Sequence, residues 1–505
     1  MKARKDSRSL VALFSVAAAA LPALRAQVVE PPPPPPGEIE VQVLEDVSGD
    51  TVRLELGEAP PAAAWGPWQR GEPAPIGGDK AAPCTVFVFY ATPKAEAESA
   101  IEADVDYLAE LQQRFAEKGV RFVAVVADPE TKTPASWAPW GAVVDREQQV
   151  AAAWGAVRGQ HVVVLDHGGK TSFQGDPGNG LVDAIAGVLD GSFEVGKARD
   201  RIMMRDALAA DFENVAARFD PAALADNAGR DGQTWGILYA AAANRPPFAD
   251  AAMPVAKAAV ERLAKDSRPL AVFADIALRS DARAPGLALE LSAALQPASA
   301  AAPSDPWVQL AYLRALVIAD RGREVGRQAA KTARLVRSSA EHSLAFAEIL
   351  VRAATPVVHG DLVRQAIARA AELGAAPRLV TATRYAALLR CDEDPAAAKA
   401  LLNEYLAEVQ IRTQINNDCW YLMTELPTMG RFDWFAAALA DRMLEQRDNM
   451  DYFEFDTVAL AMFQVGRFAD AVANQETAIQ KGGADNPEYT GRLDRYKARV
   501  AAAPR

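Results

Sequence analysis

The pattern of apolar and polar positions divides the chain into two regimes. Cys84–Tyr90 reads CTVFVFY and Val120–Val126 reads VRFVAVV, uninterrupted β-rich runs of buried-strand length. Val162–Leu165 is a third such run, followed by the turn sequence Asp166-His167-Gly168-Gly169-Lys170. Between the first two runs, Ala95–Lys118 spaces Ile101, Val105, Leu108, Leu111 and Phe115 at three- and four-residue steps with carboxylates between them, which predicts an amphipathic helix. Leu181–Leu189 predicts a closing helix. Strands alternating with helices predict an open α/β sheet with right-handed crossovers. From Arg201 onward strand signals vanish, and Ala- and Leu-rich helical patterns are broken by short Gly, Asp and Pro punctuation.

That punctuation has a rhythm. Gly430-Arg431-Phe432 recurs 36 residues later as Gly466-Arg467-Phe468. Asn244, Asp281, Gly322, Gly360 and Asp394 continue the series upstream at spacings of 34 to 41 residues, which predicts six or seven stacked helical hairpins. Around the second copy, Phe455, Val458, Ala459, Met462, Gly466, Phe468, Ala471 and Ala478 resemble a tetratricopeptide (TPR) unit, with alanines where two helices approach closely. The resemblance covers the last two or three hairpins. It implies a concave surface that holds peptides or partner proteins; the alternative is a scaffold, or a stack docked onto the α/β domain. Trp420, Tyr421, Trp434, Phe435, Tyr452, Phe453 and Phe455 crowd this end. At helical spacing most are expected in the core, and exposed ones would mark a contact site. Cys391 and Cys419 each fall on a predicted helix and are expected to be free, buried thiols. Leu493–Val500 predicts a last helix, with Arg492, Arg495, Lys497 and Arg499 expected on a solvated face.

The first residues change the picture of location. Met1–Arg8 is basic, Leu10–Leu21 is apolar, and small residues lead to Ala26, the three-part pattern of a secretory signal peptide. The apolar run is shorter than the roughly 20 residues a membrane span takes. Cleavage after Ala26 is expected, giving a periplasmic or secreted protein without a membrane span. Pro31–Pro36 then favours polyproline II, about 19 Å of stiff spacer at about 3.1 Å per residue, expected as a tether. The expected organisation is a signal peptide (1–26), a Pro-rich linker and extension (27–54), an α/β domain (55–199) and a helical-repeat domain (200–505).

Charge and cysteine content narrow the chemistry. With 54 basic and 66 acidic residues the formal net charge is −12. Without residues 1–26 the balance is 49 against 65. A strongly acidic body gains nothing from phosphate attraction or counterion release, so no nucleic-acid partner is expected. Three cysteines in 505 residues exclude a disulfide scaffold and a four-thiolate zinc site, and they form no C-x-x-C. His161 and His167 belong to no ligand motif, so neither metal nor cofactor is expected. There is no G-x-S-x-G elbow, phosphate-binding glycine loop or recognisable pair of catalytic carboxylates, and a hydrolase has no support.

The α/β region carries a second resemblance. Phe89-Tyr90-Ala91-Thr92-Pro93-Lys94-Ala95-Glu96-Ala97-Glu98 resembles the F-W-A-T-W-C-x-x-C-[KR] segment of bacterial thioredoxin-like (redoxin) proteins, exported thiol–disulfide reductases. Leu56-Gly57-Glu58-Ala59-Pro60, Trp68 to Gly71, Lys118–Val125, Asp166 to Lys170 and Phe173–Pro177 resemble further landmarks of that family in the same order, over about Leu56–Asp200. The resemblance implies a thioredoxin-like fold. Aligned without gaps, however, the two active cysteines fall on Lys94 and Ala97, the preceding tryptophan on Pro93, and the family's cis-proline on Gln160.

Thiol–disulfide exchange needs an attacking thiolate and a resolving thiol, and neither Lys94 nor Ala97 supplies one. The helix start instead carries Glu96, Glu98, Glu102 and Asp104, which complement the macrodipole and disfavour a nearby thiolate. Lys94 is expected to be a solvated lysine, with Pro93, Lys94, Glu96, Ala97 and Gln160 retained at most for peptide contact. The expectation is therefore an exported, non-catalytic binding or scaffold protein with no catalytic residues. Its partner is a protein or peptide held by the helical repeats. The alternative is a thiol–disulfide oxidoreductase working through a single non-standard cysteine such as Cys84, ten residues upstream of Lys94.

Overall fold

The computed structural model describes residues 54–502 with the exception of 63–64, 74–75, 79–80, 91–97, 128–132, 146–147, 157–160, 176, 178–179, 200–228, 245–251, 281–285, 410–411 and 484–486. The first regime is a mixed sheet with helices. In chain order its elements are β1 (Trp68–Arg70), β2 (Cys84–Tyr90), α1 (Glu98–Ala116), β3 (Arg121–Val126), β4 (Gly141–Val144), α2 (Gln149–Ala153), β5 (His161–Asp166), β6 (Thr171–Gly175) and α3 (Leu181–Asp190). The strands lie in the order β1-β4-β3-β2-β5-β6. Strands β2, β3 and β4 are parallel, while β5, β6 and β1 run antiparallel to their neighbours.

The period-two geometry of a strand sends alternate residues of β2 to opposite faces. Cys84, Val86 and Val88 pack with Leu108, Leu111 and Phe115 of α1 and Leu181 and Ile185 of α3. Phe87 and Phe89 pack on the other face with Val123, Val143, Val163 and Trp154. Burial on both faces is why the central strands read as continuous apolar runs. Strands β1, β4 and β6 were not expected from the pattern. They are three to five residues long, and β6 reads TSFQG, too short and too polar to announce itself. Asp145 joins β4 to α2, accepting hydrogen bonds from Val150 N (3.0 Å) and Ala151 N (2.7 Å) at the start of that helix.

Among the described residues after Gly175 there is no further strand. The helical region comprises α4 (Gly232–Asn244), α5 (Ala252–Leu263), α6 (Ser267–Arg279), α7 (Leu287–Ala301), α8 (Pro306–Ile318), α9 (Gly322–Leu335), α10 (Ala340–Val351), α11 (Gly360–Glu372), α12 (Pro377–Arg390), α13 (Pro395–Glu408), α14 (Arg412–Thr424), α15 (Asp433–Leu444), α16 (Tyr452–Gln464), α17 (Phe468–Ala478) and α18 (Pro487–Ala502). Several starts follow from sequence chemistry. Asp305 and Asp394 cap α8 and α13, each ahead of a proline at the first helical position. Asp451 and Glu454 form a capping box on α16.

The punctuation residues stand at or between the two helices of successive pairs: Asn244 ends α4, Gly322 and Gly360 open α9 and α11, Asp394 caps α13, and Gly430 and Gly466 lie in the α14–α15 and α16–α17 turns. The remaining one, Asp281, lies outside the described residues. The first helices α4, α6, α8, α10 and α12 pack side by side in a row. At the α4–α6 contact a Cβ on Gly232 would sit 1.9 Å from the carbonyl oxygen of Pro269, so only glycine permits that approach. Ala459, Ala471 and Ala478 are fully buried where α16 meets α17. The two regimes touch through α1. Arg114 bonds to the buried Asp266 ahead of α6, and the Arg268 guanidinium lies 5.6 Å from the Tyr107 ring centroid.

Candidate functional site

The positions aligned with the redoxin thiols and their surroundings, Pro93, Lys94, Glu96, Ala97 and Gln160, lie outside the described residues. The two ends of the strand leading to them are described. At its far end Tyr90 meets Trp137 edge-on, with ring centroids 5.4 Å apart, and Trp137 stacks on Trp140 at 4.1 Å. Arg70 of β1 holds this pair, donating to the carbonyls of Trp140 (2.7 Å) and Trp137 (2.8 Å). Both tryptophans are buried, so the pair acts as a floor of the α/β core rather than an open surface.

Cys84 occupies the opposite end of β2, paired across the ladder with Asp166. It is 0% exposed. Burial, reinforced by the Asp166 carboxylate, pushes its thiol up to about 12. Cys391, just past α12, and Cys419, in α14, are also free and buried. Burial raises both thiols, Cys391 to about 11. His161 lies on β5 opposite Phe89, and among the described residues no three His, Cys, Asp or Glu side chains gather to hold a metal ion.

The helical region contains a constellation that the sequence reading missed. Arg314 sits in the middle of α8 with 3% of its side chain exposed. Its Nε donates to Asp275 of α6 at 2.9 Å, and its Nη2 donates to Glu348 of α10 at 2.7 Å. Arg352, one turn beyond Glu348, bonds to it at 2.8 Å and to Asp433 at 2.9 Å. Burial alone raises Asp275, yet Arg279, Arg314 and Arg431 outweigh it and hold the carboxyl at about 2. Glu348 is likewise held below the usual range, because Arg314 and Arg352 overcome its burial.

Further pairs continue the pattern: Arg268–Asp305 at 2.8 Å, Arg378–Asp418 at 2.7 Å, Arg412–Glu454 at 2.7 Å and Arg492–Asp456 at 2.8 Å. An arginine–carboxylate bridge thus joins one helix pair to the next at many steps. The signal in the sequence is a lone charge inside an apolar helix, such as Arg314 in WVQLAYLRALVI. The expectation of a solvated basic face on the last helix is corrected for Arg492 and Arg495. Both are buried, Arg492 against Asp456 and Arg495 over the rings of Phe463 and Tyr496.

The α14–α15 turn, residues 425–432, crosses back over this row. Arg279, the last residue of α6, donates Nη1 to the carbonyls of Leu426 (2.7 Å) and Met429 (2.9 Å). Leu426 and Met429 pack into the core formed by α4 to α8. Arg431 approaches Glu348 to 3.8 Å. Gly430 has φ +68°, and a Cβ there would lie 2.1 Å from the Arg279 carbonyl oxygen. Of the clustered aromatics, Phe435 and Phe455 are core, whereas Tyr452 and Phe453 are 42% and 39% exposed at the start of α16.

No family model matches the chain, and no curated protein matches it. One solved chain, described as the crystal structure of an uncharacterized conserved protein from Geobacillus kaustophilus, is similar at 21% identity over 22% of this chain and 69% of its own, with a TM-score of 0.19.

Proposed function

We propose that this is a non-catalytic binding or assembly protein of an exported compartment. A thioredoxin-like domain that has lost its thiol pair is carried with a TPR-like helical region that holds a protein or peptide partner. The sheet order, with the long helix α1 following the central strand β2, is compatible with the first part. Helix pairs punctuated every 34 to 41 residues are compatible with the second. The basic, apolar and small-residue pattern of residues 1–26 supports export.

The observation that carries the reading is the state of sulfur in the α/β domain. Lys94 and Ala97 stand where the family's cysteines align, and Cys84 is at the other end of a seven-residue strand, about 20 Å from Tyr90 at about 3.3 Å per residue. Fully buried and held protonated, Cys84 supplies no thiolate to attack a disulfide. The test is reduction of a disulfide substrate by the purified chain with dithiothreitol as electron donor. The expected rate equals that of the donor alone, and turnover above it that disappears in Cys84→Ala would overturn the proposal. Photo-crosslinking from the helical region in an envelope fraction then identifies the partner.

A further inference from the structure

Helix α9 carries charge that its surroundings do not answer. Residues 321–337 hold six basic residues, Arg321, Arg323, Arg327, Lys331, Arg334 and Arg337, against one acid, Glu324, in a chain of net charge −12. At about 100° per residue, Arg323, Arg327, Lys331 and Arg334 fall on one side of α9, and all four are exposed. Val325, Gln328, Ala329 and Thr332 fall on the opposite side and are buried, with Gln328 donating to Gln309 of α8 at 2.8 Å. The basic stripe is one helix wide and about 16 Å long from Arg323 to Arg334, at about 1.5 Å per residue.

On other helices, exposed Arg364, Arg369 and Arg467 each meet a carboxylate one turn away. Among the described residues no carboxylate pairs with any of the four stripe cations, and Lys331 reaches only the Ser299 carbonyl, at 3.5 Å. Stability does not ask for this arrangement. Arg323 stands in the first turn of α9, where the positive end of the macrodipole repels a cation. Arg323, Arg327 and Lys331 repeat at four-residue steps, where like charges weaken a helix. Local rules broken without structural gain are expected where a surface has work to do. Small residues flank the stripe: a Cβ on Gly326 would meet nothing within 4 Å, and Ala330 borders an open hollow of about 400 Å³ with Pro303, Leu335, Lys331 and Arg334. A peptide main chain can lie close alongside. The stripe advances about 6 Å at each four-residue step, and alternate residues of an extended peptide advance about 6.7 Å. Acids at every second position therefore keep pace with it. A bilayer or a nucleic acid spreads its charge over a far larger area, where the acidic remainder of the body is repelled.

We propose that the exposed face of α9 is a docking strip for an acidic polypeptide segment of a partner, bound extended with carboxylates at alternate residues. This names the partner chemistry and rests on the reading of the helical region as the binding part. Fluorescence anisotropy on the full chain tests it, with a labelled octapeptide that alternates glutamate and serine. Arg327→Ala, Lys331→Ala and Arg334→Ala combined should weaken binding at least tenfold and keep the wild-type melting temperature, because the side chains removed are exposed and mutually repelling. Arg442→Ala, which removes an exposed arginine of α15, should change binding less than twofold. A peptide of the same composition with its glutamates in one block should bind at least threefold more weakly. Added salt should weaken the complex.

Equal binding by the wild type and the triple variant would overturn the strip, as would an equal loss in Arg442→Ala. Equal affinity for the block peptide would overturn the extended register. Tighter binding of phosphatidylglycerol vesicles or a single-stranded oligonucleotide than of the peptide, lost in the triple variant, would overturn the choice of partner. A partner still crosslinked through other helices after such a failure leaves the binding role standing and removes only the strip on α9.

Discussion

The sheet and the helical region solve the same problem, burying a long apolar surface, in different ways. In the sheet, the pleat alone sends alternate residues of β2 into two dry cores, and the ladder fixes its register. Stacked helix pairs have no comparable ladder, because helix faces slide and rotate against one another with small penalties. Arginine–carboxylate bridges, each with at least one buried partner, supply the missing register here, joining α6 to α8, α8 to α10, α12 to α14, α14 to α16 and α16 to α18. The difference teaches that charge inside a helical stack acts as alignment as much as stabilisation.

The sharpest way to break this comparison is Arg314→Met. It leaves the carboxylate of Glu348, 3% exposed, without its bidentate partner, and should destabilise the helical region by about 3 kcal/mol in guanidinium titrations followed by helical circular dichroism. Adding Glu348→Leu should recover most of that loss. A loss below about 1 kcal/mol for the single variant would mean that the bridge is hydrated and aligns nothing.

Acid sharpens the contrast. Burial, with the charges of Arg268 and Arg431, depresses His342 to about 3 from 6.5, so the unfolded chain takes up a proton that the folded chain refuses. The stability linked to this group is full above pH 6.5 and is lost as pH falls toward 3, at about 1.4 kcal/mol per pH unit. Asp275 adds a second loss between about 3.8 and about 2, as its carboxylate is protonated out of the bridges. His342→Gln should flatten the first slope and leave the second. An unchanged slope between pH 6.5 and 4 would place the acid-sensitive group elsewhere.

The smallest expected effect concerns sulfur. At pH 8 a thiol reagent should label Cys84 in the native chain at under about 1% of the rate of a free thiol, because a group pushed up to about 12 is almost wholly protonated and also inaccessible. Full labelling should require denaturant. Rapid native labelling would reopen the reading of Cys84 as a reactive centre.

The parts of the fold legible in the sequence were those whose cause is local. Strands β2, β3 and β5 and helices α1 and α3 follow from runs and periods within a dozen residues, and the glycines at 430 and 466 mark turns because their φ is positive. Short strands such as β4, four residues long, owe their existence to partners elsewhere in the sheet. The bridges were illegible for the same reason. Arg314 finds Asp275 and Glu348 at separations of 39 and 34 residues, and nothing near Arg492 announces Asp456. Lys94 and Ala97, where the resemblance would set a pair of cysteines, lie outside the described residues, so the sequence alone speaks to them.

The bridges also bear on how such a chain grows over generations. Many stacked-helix proteins lengthen or shorten by gain or loss of one unit, since each unit offers its neighbours the same surface. Excising α8 and α9 here would set Asp275 facing Glu348, two carboxylates deprived of the guanidinium that reconciles them. The bridged junctions are written for particular neighbours, so loss of a single unit from this part of the stack carries a chemical cost that identical repeats would not.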